Sequence, residues 1–219
     1  MSHGLKWDET VAWQSPNNNE RLMFEAADPY RYVFEQPMAV TPGTVFNYSG
    51  GASSLLGRVL AKATGRPVDG YAREKLFDPL AITDFEWGTF EGSKEIAAFA
   101  GLRLRPRDLA KIGLLLMGAG RWNGRQVVPA EWIAESVKPR LNTDGSLLYY
   151  GYQRWLGRSL LRGRDLTWIA GLGNGGQRLY VVPELELVVA INSSHYGSPL
   201  QGVIPISILN RFVLRAIKD

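Results

Sequence analysis

Nucleophilic catalysis by a serine needs its alcohol held beside a base or an ammonium. The 219 residues hold thirteen serines, none followed by lysine three positions later, and no Gly-x-Ser-x-Gly elbow. A Ser-His-Asp relay would depend on His3 or His195, the only two histidines, and both read as surface residues. With no cysteine and no His-Glu-x-x-His or comparable spacing, neither a metal site nor a cofactor is expected. Gly171-Leu172-Gly173-Asn174-Gly175-Gly176 invites comparison with a phosphate loop, but no Gly-Lys-Ser/Thr follows and its flanks are strand-like. Those glycines allow a ligand to approach a strand edge closely and leave an N–H free to donate to it; a tight bend in a sheet accounts for them as well.

Elements must position any such groups, and composition bounds what those elements can be. A content of 45% hydrophobic and 21% charged residues, with seven Trp, nine Tyr and eight Phe, fits one well-filled globular domain with a large core. The net charge of +4 is dispersed, with no run of five like charges. Arg103, Arg105 and Arg107 come nearest to a basic patch, but beside Pro106 they read as a solvated helix entry, so no nucleic-acid partner is expected. No run of 18 apolar residues exists, so no membrane span is expected, and residues 1–20 lack the apolar stretch of a secretion signal. The compartment stays open.

Helical periodicity dominates residues 20–140. A short helix within Glu20–Tyr32 should end at Asp28-Pro29, since a residue before proline disfavours helical dihedrals. After the Thr41-Pro42-Gly43-Thr44 turn, Leu55, Leu56, Val59, Leu60 and Ala63 form an apolar stripe on a helix capped by Gly65. Arg66-Pro67 opens another through Phe77, stopped by Asp78-Pro79; Arg105–Met117 is a third, with Leu109, Ile112, Leu115 and Leu116 inward. Pro129 starts a fourth, closed by Pro139. Strands follow at Tyr149–Leu156, Leu166–Ala170, Gln177–Val182 and Leu185–Asn192, the last two a hairpin about Pro183-Glu184 in a central antiparallel sheet. A helix with Ile208, Phe212 and Ile217 apolar closes the chain at Ile204–Ile217. Helices first and strands late give an α+β class, an antiparallel sheet flanked by helices, and residues 1–219 read as one domain with its sheet and last helix at about 149–217.

Thr41-Pro42-Gly43-Thr44-Val45-Phe46-Asn47-Tyr48-Ser49-Gly50-Gly51, running into Leu55-Leu56-Gly57-Arg58-Val59-Leu60, resembles the Pro-Gly-x-x-x-x-Tyr-x-Asn segment of class C serine β-lactamases and penicillin-binding-protein-like hydrolases. That family includes family VIII-type esterases and 6-aminohexanoate-dimer-hydrolase-like amidases. Three further segments match in order: Leu76-Phe77-Asp78-Pro79-Leu80-Ala81-Ile82-Thr83, Gly101-Leu102-Arg103 to Leu109, and Gly173 to Val182 with Pro183-Glu184-Leu185. The resemblance implies an α/β/α sandwich and a serine hydrolase acting on a small ester or amide through an acyl-enzyme. It makes Tyr48 the second-box tyrosine that manages protons, with Ser49 and Gly50 beside it, and Gly171, Gly173, Asn174, Gly175 and Gly176 the substrate and oxyanion edge. A phenol with its usual pKa near ~10 needs neighbouring cations before it can shuttle protons; on local sequence a plain buried tyrosine fits as well.

The match departs from the family at Gly50, where Asn is common, and at Gly171-Leu172-Gly173, which offers no Lys or His for a carboxylate, so it does not extend to β-lactams as substrates. Met1-Ser2-His3-Gly4-Leu5 resembles the Thr-Ser-Gly-Leu-like segment that follows the Ser-x-x-Lys helix. The resemblance therefore implies the C-terminal two-thirds of such a protein, without its first strands and nucleophile helix. An apolar face would be left for another copy, as a homo-oligomer, for a rearrangement or for a separate fragment to cover. The rival reading is a catalytically inactive relative or fragment that binds peptide-like ligands or self-associates.

Overall fold

A computed structural model describes residues 1–143 and 148–217; Ser146, one of the thirteen serines, lies outside them. The chain divides into two compact units, Met1–Leu104 and Arg105–Asp219.

In the first unit α1 (Asn19–Glu25) and α2 (Pro29–Phe34) replace the single helix expected over Glu20–Tyr32. The reason is Asp28: its carboxylate accepts the N–H groups of Tyr30 and Arg31, and Pro29 suits a first helical position, so the pair opens a helix. The helix α3 (Gly50–Thr64) ends as expected on Gly65 in the left-handed region, φ 67°. Its apolar stripe is not its buried face, however. Leu56 and Val59 are 56% and 63% exposed, while Gly50, Gly51, Ser54 and Gly57 are buried. A Cβ on Gly51 would lie 2.6 Å from the Trp7 ring, and one on Gly57 2.4 Å from the Ala98 Cβ, so small residues bring the helix backbone against its neighbours. Trp7, Met23, Val33, Phe90 and Ala97 form the core beneath. Next, α4 (Val68–Ala72) continues into a π-helical turn, Arg73–Phe77. The strands β1 (Phe85–Trp87) and β2 (Leu102–Leu104) pair antiparallel, with Arg103 bridged to Glu86 at 3.0 Å. Arg103 is thus a strand residue, and only Arg105 and Arg107 belong to a helix entry.

The second unit opens with α5 (Pro106–Met117), the two-residue strands β3 (Arg121–Trp122) and β4 (Arg125–Gln126), and α6 (Ala130–Ser136). Its sheet comprises β5 (Leu141–Asn142), β6 (Tyr149–Gly151), β7 (Arg154–Leu161), β8 (Arg164–Leu172), β9 (Arg178–Val182) and β10 (Leu187–Ile191), in the order β10-β9-β8-β7-β6-β5. All neighbours are antiparallel. The strand expected over Tyr149–Leu156 is a hairpin. Tyr152 and Gln153 turn the chain with φ of 45° and 67°, a left-handed pair made without the Asn or Gly that would announce it. The expected hairpin about Pro183-Glu184 is present, and β10 lies at one edge of the sheet.

Alternation along β8 to β10 splits the side chains between two faces. Leu166, Trp168, Ala170, Tyr180 and Val182 pack with Leu209 and Leu214 from the chain's last helical stretch. On the other face Gly113 of α5 meets Val188, Leu179 and Val181. The expected α+β class is therefore present, with helix, sheet and helix layered in this unit. The last stretch runs α7 (Leu200–Ser207), a π-helical turn (Ile208–Val213) and α8 (Leu214–Ala216). Leu209 and Leu214 point inward and the apolar Phe212 is 68% exposed. A π turn carries one residue more than an α turn and shifts the helical phase.

Candidate active site

Tyr48 stands just ahead of α3, and residues 1–9 run alongside it as a strap. Gly43 N–H donates to Ser2 O at 2.7 Å, Asn47 N–H to Met1 O at 2.8 Å, and the Asn47 side chain to Trp7 O at 3.0 Å. His3 belongs to this strap, not to the open surface: its Nε2 bonds Asn47 O at 3.2 Å while its Nδ1 accepts the Leu5 N–H at 3.1 Å. One nitrogen donates and the other accepts, which is the neutral ring; burial holds the imidazole below its ordinary pKa, in agreement. Gly4, with φ of 80°, lies where a Cβ would meet Val40 O at 2.4 Å.

Ser49 and Gly50 have helix-building roles here. Ser49 is buried and its Oγ accepts the Ala52 N–H at 3.0 Å as the N-cap of α3. Gly50 stands where the family commonly has Asn, and a Cβ there would lie 2.9 Å from the Phe99 ring, so a larger residue would need that ring to shift. Its N–H donates at 2.7 Å to Glu9 Oε2, which also accepts the Trp7 indole N–H at 2.7 Å.

The charges acting on Tyr48 are acidic. Its phenol is pushed up to about 12, by burial first and then by the negative charges of Glu9 and Glu20. The residue keeps 37% of its surface open, so solvent and salt moderate both influences. Glu20 is itself raised to about 7, by burial and then by Glu9. Glu9 is raised by burial, against the opposing pull of its bonds from Gly50 and Trp7. Among the described residues no group of three His, Cys, Asp or Glu gathers as metal ligands would.

The glycine segment lies in the second unit. Gly171 and Leu172 end β8, and Asn174–Gly176 make a tight turn with Gly175 and Gly176 at φ of 82° and 93°. Its donors have partners: Gly173 N–H bonds Gln177 O at 2.9 Å, Gly176 N–H bonds Gly173 O at 3.2 Å, and Gly175 N–H bonds Gln201 Oε1 at 2.7 Å. Arg178, buried in β9, pins the turn by donating to the carbonyls of Gly173, Gln177 and Gln201 at 2.7, 2.8 and 2.6 Å. The Gln201 carbonyl is left over because Pro205, four residues on, has no N–H to offer it. Tyr196 covers Gly175, where a Cβ would lie 2.5 Å from its ring, and His195 N–H bonds the Gly175 carbonyl at 2.9 Å. Tyr48, Ser49 and Gly50 thus come together on the first unit, and Gly171, Gly173, Asn174, Gly175 and Gly176 on the second.

A family model described as Beta-lactamase matches residues 2–205. The chain belongs to the β-lactamase family. Among solved structures, this β-lactamase-family chain is similar to a Bacillus anthracis protein assigned as a 6-aminohexanoate-dimer hydrolase. The two share 22% identity with a TM-score of 0.81, over 98% of this chain and 59% of that one. An octameric penicillin-binding protein homologue from Pyrococcus abyssi superimposes with a TM-score of 0.60 at 20% identity, over 82% of this chain and 46% of that one. By sequence, a Lovastatin esterase of Penicillium rubens is 28% identical over 115 residues, which are 52% of this chain and 26% of the esterase. The chain thus spans a quarter of that esterase's length and about three-fifths of the hydrolase's.

Motif matching singles out Tyr48 in this β-lactamase-family chain but passes over Glu9, Glu20, His3 and Arg178. For Glu9 the sequence offers no signal beyond its place two residues after Trp7. Arg178 carries no comparable mark beyond being a lone cation at the start of an apolar strand.

Proposed function

We propose that this chain carries the proton-transfer and oxyanion-binding parts of a serine hydrolase that cleaves a small ester or amide through an acyl-enzyme. Its Ser-x-x-Lys nucleophile would come from outside these 219 residues, since that motif does not occur within them. Residues 1–219 are taken as one β-lactamase-related domain built of the two units. Acyl transfer then runs in two halves: the serine oxygen adds to the substrate carbonyl and expels the alcohol or amine, and water releases the acid. Tyr48 would relay the proton from serine to leaving group, and the Gly171–Gly176 segment would donate to the oxyanion. No cofactor enters.

The observation that supports this role is the placement of Tyr48, partly open and braced by the strap at the head of α3. Its acidic surroundings make one requirement explicit. A phenol raised to about 12 is almost wholly protonated at neutral pH, so it relays protons only when an ammonium offsets Glu9 and Glu20. The lysine of Ser-x-x-Lys is that ammonium. At the oxyanion edge, Gly175 N–H would become available when both its acceptors, Gln201 Oε1 at 2.7 Å and Asn174 Oδ1 at 2.9 Å, give way, exchanging neutral acceptors for a charged one.

The test combines an activated ester with a fluorophosphonate probe. The 219-residue chain alone should show neither turnover nor adduct, whereas a form extended by the upstream reading frame with Ser-x-x-Lys should show both. In that form Tyr48→Phe should lower kcat about 10²- to 10⁴-fold. Turnover by the chain alone, abolished by Tyr48→Phe, would place the nucleophile inside it and overturn the proposal.

A second reading is an inactive relative that self-associates. Exposed Leu56, Val59 and Phe212 and the committed donors of Gly173, Gly175 and Gly176 favour it, as does the octameric state of the Pyrococcus homologue. Sedimentation that shows a monomer at every concentration would remove it.

A further inference from the structure

The mechanism outlined above gives Glu9 no role beyond its charge, yet its side chain is held in place by two short hydrogen bonds. One carboxylate oxygen accepts two hydrogen bonds of 2.7 Å, one from the Trp7 indole and one from the Gly50 main chain. Both are charge-assisted and short, the strongest kind a carboxylate makes with neutral donors. Gly50 begins α3, and its N–H is one of the first-turn donors that no residue of the helix can satisfy. Ser49 satisfies another, that of Ala52. Glu9 therefore completes a cap that Ser49 only begins, from 41 residues away in sequence.

The same short stretch also holds the chain on the other side of Tyr48. Asn47 donates its side-chain amide to the Trp7 carbonyl, and the Trp7 ring is buried against Gly51. Residues 47 and 50 are thus both tied to Trp7–Glu9, and Tyr48 lies on the span between those ties. The negative charge of the clamp also acts on the phenol, together with that of Glu20; Asp8 acts on Glu9 in turn.

We propose that Glu9 is the positioning residue of Tyr48, fixing the tyrosine by clamping the first turn of α3 to Trp7 and bringing a carboxylate to act on its phenol. This rests on Tyr48 being the proton-relay residue only for its importance to catalysis. The placement itself is tested without turnover, so its failure and that of the hydrolase reading are distinguishable.

The experiment uses the 219-residue chain with tyrosine labelled at Cζ, the Tyr48 resonance being assigned by its loss in Tyr48→Phe. In Glu9→Gln an acceptor oxygen remains and the charge goes. The fold and the Gly50 amide protection should persist while the acid constant of the phenol rises about tenfold, one pKa unit. In Glu9→Ala the clamp is lost, so Gly50 amide exchange should accelerate about tenfold or more and the Tyr48 resonance should broaden or divide, as expected of locally opened structure. Glu20→Gln should move the phenol titration and leave Gly50 exchange alone. Unchanged Gly50 exchange and an unchanged Tyr48 resonance in Glu9→Ala would overturn the proposal. If Glu9→Ala does not fold, an unmoved phenol titration in Glu9→Gln overturns it instead. Positive results here with no turnover in the extended enzyme would leave Glu9 positioning a tyrosine that is not catalytic.

Discussion

Two titrating side chains near the strap pull stability in opposite directions as pH changes. Glu20 is raised to about 7 in the folded chain, so the fold binds its proton more tightly than the unfolded chain does. Its contribution is full below the ordinary carboxylate value and is lost as pH rises through about 7. Glu20→Gln should therefore raise stability at pH 8 by on the order of 1–2 kcal/mol and change little at pH 4, as read by urea unfolding across that range. His3 has the opposite sign, because its folded pKa is lowered. Its contribution is full above the ordinary histidine value and fades as pH falls below it, a loss that His3→Gln should abolish in the same experiment. Tyr48 was singled out by its motif. Glu9 and Glu20 were not, because their influence comes from contacts that fold brings together and sequence spacing does not show. The Gly50 departure was visible as a missing amide, but only the fold shows Phe99 packed close over that position.

Elements punctuated by proline and glycine were readable, and those shaped by packing were not. Gly65 and the Asp78-Pro79 stop were foreseen because left-handed dihedrals and missing N–H groups are local properties. The buried face of α3 was misjudged because periodicity assumes that large apolar residues face inward, whereas this helix is drawn close by glycines. Gly51→Ala should accordingly destabilise by about 1–3 kcal/mol despite the better helix propensity of alanine, measured by chemical unfolding, since the new methyl would meet Trp7. Turns follow the same logic. Tyr152 and Gln153 gave no turn signal, so one strand was expected where the chain makes two. At the β7–β8 turn, Arg162 and Gly163 have φ of 50° and 80°, and Asn-Gly is the pair best suited to such dihedrals. Arg162→Asn should raise stability by roughly 0.5–1 kcal/mol, visible as an upward shift in Tm.

At the scale of the molecule, the α+β class was legible because strand-like runs gather late in the sequence, while the position of β10 was not. Its Leu-Val-Val-Ala-Ile has the composition of a strand with neighbours on both sides, and nothing local distinguishes that from an edge. The two borders of the sheet differ accordingly. β5 is only two residues long and follows Lys138, Pro139 and Arg140, features that discourage further pairing. β10 offers five uncharged residues without proline. Among the described residues its outward main-chain groups meet no strand. Such a border is a template for fibrillar growth, so warming or concentrating the isolated chain should yield thioflavin-positive material in which β10 amides gain protection from exchange. A short soluble peptide that docks along this border and ends in proline would act as a stopper, slowing that growth without touching Tyr48.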